Sequence, residues 1–146
     1  MANYKGSKKH TLALNTFVKL VRCTNSVADD VHSHFIKELT VSQFGILEAL
    51  YHLGPMPQKD LAVKILKSPG NITTIINNLI KKKLVARLPG ESDRRYCSIE
   101  LTKSGMQIIE TIFPVHADVI CKRFSHLTSQ EQNQLGRLLL KLSNKP

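Results

Sequence analysis

At 146 residues the chain has the length of one domain, and 42% hydrophobic with 22% charged residues is ordinary for a globular protein. Twenty-one Lys and Arg against eleven Asp and Glu leave a net charge of +10, a balance that suits a polyanionic partner. No apolar run approaches the ~20 residues of a membrane span, and the Lys-rich start lacks a signal peptide's apolar core, so the expectation is a cytoplasmic chain with no membrane partner.

Residues 1–10 are polar and basic. From Thr11 to about Lys37, Leu14, Phe17, Val18, Val21, Ala28, Val31 and Phe35 recur at helical spacing without Gly or Pro, which predicts a long amphipathic first helix. Thr40-Val-Ser-Gln43 is a capping box; it opens a second helix carrying Phe44, Leu47 and Leu50 that stops at Gly54-Pro55. A short third helix, about Gln58 to Leu66, turns Leu61, Ala62 and Ile65 inward. Ser68-Pro69 begins a fourth: Ser can cap the open N–H groups and Pro suits the first helical position.

Two short β-runs follow, Val85–Leu88 and Tyr96–Leu101, joined by a loop with Pro89-Gly90. A fifth helix runs from after Thr102 to about Phe124, with a kink expected at Pro114. A second capping box, Thr128-Ser-Gln-Glu131, opens a sixth helix through Leu135, Leu138, Leu139 and Leu142. The order is α-α-α-α-β-β-α-α, mainly helical with a small β-hairpin, in a single domain over 1–146.

The stretch from Ser68 to Gly105 carries the functional signal. Residues 56–103 hold ten Lys/Arg against four Asp/Glu, a net +6 of the total +10. On a helical wheel Ile72, Ile75, Ile76, Leu79 and Ile80 fall on one side of the fourth helix, which is expected to run to Lys83. Gly70, Asn71, Thr73, Thr74, Asn77, Asn78 and Lys81 occupy the other. An ordinary surface helix carries Glu and Lys there; this face is short, helix-poor and without any acid, at a cost of a few tenths of a kcal/mol or more per residue. Such groups approach DNA closely, Asn pairing with adenine and Thr methyls meeting thymine methyls, while the helix N-terminus attracts phosphate.

Beside it, Glu91-Ser-Asp93-Arg94-Arg95 forms the hairpin tip. Arg94 and Arg95 suit a minor groove, and Asp93 suits the positioning of an Arg side chain. Taken alone the tip reads as an exposed turn with an ion pair; its place after an acid-free polar helix favours DNA. The candidate DNA-contacting residues are therefore Gln58, Lys59, Ser68, Gly70, Asn71, Thr73, Thr74, Asn77, Lys81, Arg94 and Arg95.

The combined pattern resembles the MarR family of winged helix-turn-helix regulators over nearly the whole chain. The motifs that carry the resemblance are Thr40-Val-Ser-Gln43 through Leu47 and Leu50, then Leu61-Ala62, then a helix leading into Leu84-Val85-Ala86-Arg87. Last comes Asp93-Arg94-Arg95 through Leu101-Thr102-Lys103-Ser104-Gly105. Lys83 departs from the pattern, where the family usually has Gly. The resemblance implies a homodimer whose long terminal helices, in 11–38 and 103–146, interleave with those of a second copy. It implies a DNA-binding lobe at 40–102, the fourth helix in the major groove and the wing arginines in the minor groove. Two-fold symmetry then matches a pseudo-palindromic double-stranded operator with half-sites about one helical turn apart. A repressor released by a small phenolic effector, or by oxidation of a cysteine, is the expected function.

No residue identifies the effector. Cys23, Cys97 and Cys121 are far apart and form no CxxC, which argues against a disulfide framework. The family's peroxide sensors use a cysteine near the start of the first helix with tyrosine partners. Cys23, the candidate redox position, lies about two turns further on, and that helix has no tyrosine. Cys97 alternates with Ile99 and Leu101 and is expected in the core; each cysteine reads best as a small buried apolar residue. His32 and His34 point in nearly opposite directions, so no metal is expected, and no cofactor either. Without a Gly-rich phosphate loop, a carboxylate pair or a Ser/His/Asp arrangement, the chain is not expected to be an enzyme. The remaining alternative is a winged-helix module that binds protein instead of DNA.

Overall fold

A computed structural model describes residues 6–33, 39–89 and 97–144. The chain forms two compact units, Phe35–Ala117 and a second built from Met1–His34 with Asp118–Pro146.

The central unit is a winged helix. Its elements are α2 (Val41–Leu53), β1 (Met56–Pro57), α3 (Gln58–Lys64), α4 (Pro69–Lys81), β2 (Val85–Pro89), β3 (Cys97–Leu101) and the first part of α5 (Lys103–Phe124). Phe44, Ile46, Leu47, Leu61, Ile72, Ile76, Leu79, Ile99 and Ile109 are almost completely buried and form a continuous core. The apolar face expected on α4 is the face it buries, with Ile75 and Ile80 at its margins. The capping box at Thr40 forms in both directions: Gln43 N–H donates to Thr40 Oγ1 and Thr40 N–H to Gln43 Oε1. Gly54 ends α2 at φ 77°, a backbone that L side chains rarely adopt.

The sheet has three antiparallel strands in the order β1-β3-β2 instead of a bare hairpin. Met56 pairs with Ile99 and Pro57 with Ser98. A two-residue strand containing Pro has no alternation to betray it; it exists because the fold brings it to the open edge of β3. Helix ends also differ from expectation: α3 stops at Lys64, short of Leu66, and α4 at Lys81, short of Lys83 though past its last apolar residue Ile80.

Both helices end in a reciprocal turn on a residue with positive φ. After α3, Lys67 N–H bonds Ala62 O and Leu66 N–H bonds Val63 O, with Leu66 at φ 53°. After α4, Leu84 N–H bonds Leu79 O and Lys83 N–H bonds Ile80 O, with Lys83 at φ 59°. This is the Schellman arrangement, in which Gly is usual. Lys83 therefore keeps the geometry of the missing Gly and carries the left-handed strain of a side chain.

The Leu101-Thr102…Gly105 motif locks onto that turn. Thr102 N–H donates to Leu84 O at 3.1 Å and its hydroxyl to Lys83 O at 2.7 Å, while Gly105 N–H donates to Thr102 Oγ1 at 3.0 Å. A Cβ on Gly105 would lie 2.0 Å from Leu84 O, so only Gly lets α5 start this close to the α4–β2 turn. From there α5 continues as one helix to Phe124, and Pro114 lies inside it without ending it.

The second unit comprises α1 (Lys8–His32), the end of α5 and α6 (Ser129–Ser143). Arg123 joins α5 to α1, its Nε 3.3 Å from Asp30 Oδ2 and an Nη2–H donating to Ser26 Oγ at 2.7 Å. Gln132 Nε2 donates to the carbonyls of Phe124 and Leu127, fixing the turn into α6. The Thr128 capping box forms, and the Thr128 backbone N–H, then its hydroxyl, hold the Glu131 carboxyl below its ordinary 4.5. Yet α6 buries no residue: Leu138, Leu140 and Leu142 are more than half exposed, as are Leu12 and Phe17 of α1. Among the described residues, no helix is long and apolar enough to cross a membrane.

Candidate nucleic-acid interface

The outer face of α4 is built as the helical wheel requires. Ser68, Gly70, Asn71, Thr74, Asn77 and Lys81 are exposed and Thr73 is half-buried, on a helix whose opposite face is locked into the core. A Cβ on Gly70 would meet nothing within 4 Å, so no packing inside the chain calls for Gly there, although Gly costs about 0.5–1 kcal/mol inside a helix. The small side leaves this face open to close approach from outside.

One expectation fails at the start of the helix. Ser68 occupies the N-cap position in extended backbone, but its side chain makes no capping hydrogen bond. The N–H groups of the first turn have no side-chain cap, and that turn contains no acidic residue.

Two side chains from outside α4 hold its polar face. Gln58 of α3 donates from Nε2 to Thr73 Oγ1 at 2.7 Å, and the Thr73 hydroxyl donates in turn to Pro69 O at 3.0 Å. The Thr73 hydroxyl therefore has its proton committed and keeps one lone pair. Arg87 of β2 donates from Nη2 to Asn77 Oδ1 at 2.8 Å. Arg87 was not among the candidate residues, although it closes the Leu84-Val85-Ala86-Arg87 motif. Strand alternation explains its reach: Val85 and Arg87 share a side of β2, Val85 enters the core, and Arg87 clears the core's edge beside α4. That signal was present in the period-2 pattern. Lys59 is exposed on α3. Asp93, Arg94 and Arg95 lie outside the described residues.

The cysteines are not where the sequence put them. Cys23, Cys97 and Cys121 are all exposed in this chain. Cys97 does share its side of the sheet with Ile99 and Leu101, as alternation demands, but it lies opposite Pro89, beyond the last core residue. The face was predictable; the depth was not. Among the described residues no group of three or more His, Cys, Asp or Glu could hold a metal ion.

A family model described as MarR matches residues 39–96, the winged helix from the start of α2 into the wing. The HTH-type transcriptional regulator MhqR of Bacillus subtilis (strain 168) is 33% identical over 128 residues, 87% of this chain and 88% of that protein. The chain belongs to the MarR family. A second relative from the same organism, the uncharacterized HTH-type regulator YkoM, is 31% identical over 134 residues, 88% of this chain and 84% of that protein.

Solved MarR-type structures share the fold. Bordetella bronchiseptica BpsR, whose DNA binding is regulated by 6-hydroxynicotinic acid, superposes with a TM-score of 0.79 at 24% identity, covering 89% of this chain and 99% of that one. The reduced form of MarR from E. coli gives 0.67 at 25% identity, covering 86% and 95%. This MarR-family chain is thus a transcriptional regulator with a DNA-binding winged helix, and not an enzyme.

Proposed function

We propose that this chain is a homodimeric repressor that reads a pseudo-palindromic operator and is released by a small aromatic effector or an oxidant. The observation that carries the reading is α4: a buried Ile/Leu face, an exposed acid-free face of short polar side chains, and a Gly70 that nothing in the chain requires. In this reading Gly70, Asn71, Thr74 and Asn77 meet base edges, with Ser68 and the open first turn of α4 on phosphate. Gln58 positions Thr73, Lys59 and Lys81 contact the backbone, and Arg94 and Arg95 enter the minor groove beside Asp93.

Dimerisation is supported by the leucines that α6 leaves in solvent and by Leu12 and Phe17 of α1, since a monomer seldom exposes so much apolar helix surface. The helices in 11–38 and 103–146 supply that interface and the lobe at 40–102 supplies the reading head. Support for an aromatic effector comes from two sources. One is BpsR, a protein of the same fold regulated by 6-hydroxynicotinic acid. The other is the ring cluster where α2 meets α5, with His52 4.6 Å from Phe113 and Phe44 4.6 Å from His116. The exposure of Cys23, Cys97 and Cys121 supports the oxidant route.

The test is a mobility shift on the chain's own upstream promoter region, repeated at 50 and 200 mM salt and titrated with phenols, quinones and peroxide. The expected log–log salt slope is about −0.9 per phosphate contact, made shallower by about one contact in Arg95→Ala. Salt-independent binding would remove the DNA reading and leave a protein-binding module.

A further inference from the structure

The Arg87–Asn77 pair has a chemical consequence for what α4 can read. Arg donates and never accepts, and the only acceptor of an Asn side chain is its carbonyl oxygen. The 2.8 Å contact from Arg87 Nη2 to Asn77 Oδ1 therefore settles which way the amide faces: Oδ1 toward β2, with the Nδ2 donors on the other side. Both residues are exposed, so the pair lies on the surface that α4 presents and not in the core.

Among the described residues, no ion pair engages Arg87. Its neighbour α4 carries no acidic residue along its whole length. Glu100 of the adjacent strand pairs in register with Ala86, so it projects from the opposite side of the sheet to Arg87. Among the described residues, what this corner presents is a set of donors: two N–H on Asn77 and the N–H groups of the guanidinium beyond the one given to Asn77, with a positive charge behind them.

We propose that Arg87 sets Asn77 as a donor, so that this corner of α4 selects an acceptor atom of the duplex, guanine N7 or O6 or a phosphate oxygen, and disfavours adenine. Adenine recognition by Asn needs Oδ1 to accept from N6 while Nδ2 donates to N7. Held at Arg87, Oδ1 is turned from that task. Guanine, which shows two acceptors on its major-groove edge, matches a donor pair. Arg87 is then a positioning residue for Asn77, and its own remaining N–H groups add to the same acceptor field. The inference rests on α4 being the DNA-reading helix.

The experiment begins with selection of duplexes from a randomised library by the full-length protein. Affinities are then measured on the selected site with 7-deazaguanine at each guanine, which removes N7, and with methylphosphonate at each phosphate. Wild type should lose on the order of tenfold at one such position, and Asn77→Ala should be insensitive there. Sensitivity to 7-deazaguanine assigns the acceptor to guanine, and sensitivity to methylphosphonate assigns it to the backbone. Arg87→Met should lose most of that sensitivity and, where guanine is the acceptor, admit adenine at the same position, while staying folded with at most the small drop in melting temperature that one exposed hydrogen bond accounts for. The proposal is overturned if wild type prefers adenine at the Asn77-dependent position, or if Arg87→Met keeps the wild-type pattern. It also falls if no position is sensitive in a way that depends on Asn77. Enrichment of no duplex at all would instead remove the DNA reading beneath it, and this inference with it.

Discussion

Helices α4 and α6 are close in length, 13 and 15 residues, and both are amphipathic, yet they are stabilised in opposite ways. Helix α6 is closed locally, by a complete capping box at Thr128 and Glu131, and has no buried residue. Helix α4 lacks a side-chain cap at Ser68 and is closed by its surroundings: a buried Ile/Leu face, Gln58 and Arg87 on its polar face, and Thr102 and Gly105 against its final turn. A helix that must hold a precise polar face is clamped from several elements. A helix whose apolar face stays in solvent within this chain has only its own ends tied, and on the proposed reading a second copy supplies its tertiary contacts.

The largest expected effect tests that second half. Leu138→Asp with Leu142→Asp should convert a dimer to monomer in sedimentation and lower operator affinity by about 10²-fold or more, the scale of a lost second half-site. Dimers that persist in that variant would show that α6 is not the interface. Next, Ile76→Ala removes a fully buried side chain of α4 and should cost about 2–5 kcal/mol in urea unfolding, independent of protein concentration. Leu138→Ala should instead destabilise in a concentration-dependent manner, and identical behaviour of the two would erase the contrast.

Smaller effects probe the helix ends. Gly105→Ala forces a Cβ against Leu84 O and should cost about 1–3 kcal/mol, read as a lowered urea midpoint. Lys83→Gly should do the reverse, gaining about 1 kcal/mol by relieving the left-handed backbone, with DNA affinity kept. The weakest is at α6. The Glu131 carboxyl is held below its ordinary value in the folded chain, so its contribution is present above that value and lost as pH falls through the folded one. Glu131→Gln should accordingly flatten the acid limb of a stability profile, most visibly as helix content at low protein concentration.

Much of this was legible in the chain. Helical phasing alone separated Ile72, Ile76 and Leu79 from Asn71, Thr74 and Asn77, because a 3.6-residue period admits one buried stripe. Both capping boxes were read from four residues each. What was missed shares a cause. The strand Met56–Pro57, the clamp from Arg87 and the exposure of Cys97 all depend on where one element lies against another, and no local pattern encodes that distance. The Ser68 cap failed for a related reason: a residue type permits a hydrogen bond, and the backbone around it decides whether the bond forms.

By itself, then, the sequence determined the helices, the two strands of the hairpin, their faces and the acid-free surface of α4, since periodicity and side-chain chemistry act over a few residues. Only the tertiary structure decided that Lys83 would take a left-handed turn without Gly and that Thr102 and Gly105 would seat on Leu84. It also decided that Arg87 would hold the side-chain oxygen of Asn77. These are contacts between residues far apart in the chain, and their geometry exists only once the core has closed around α4.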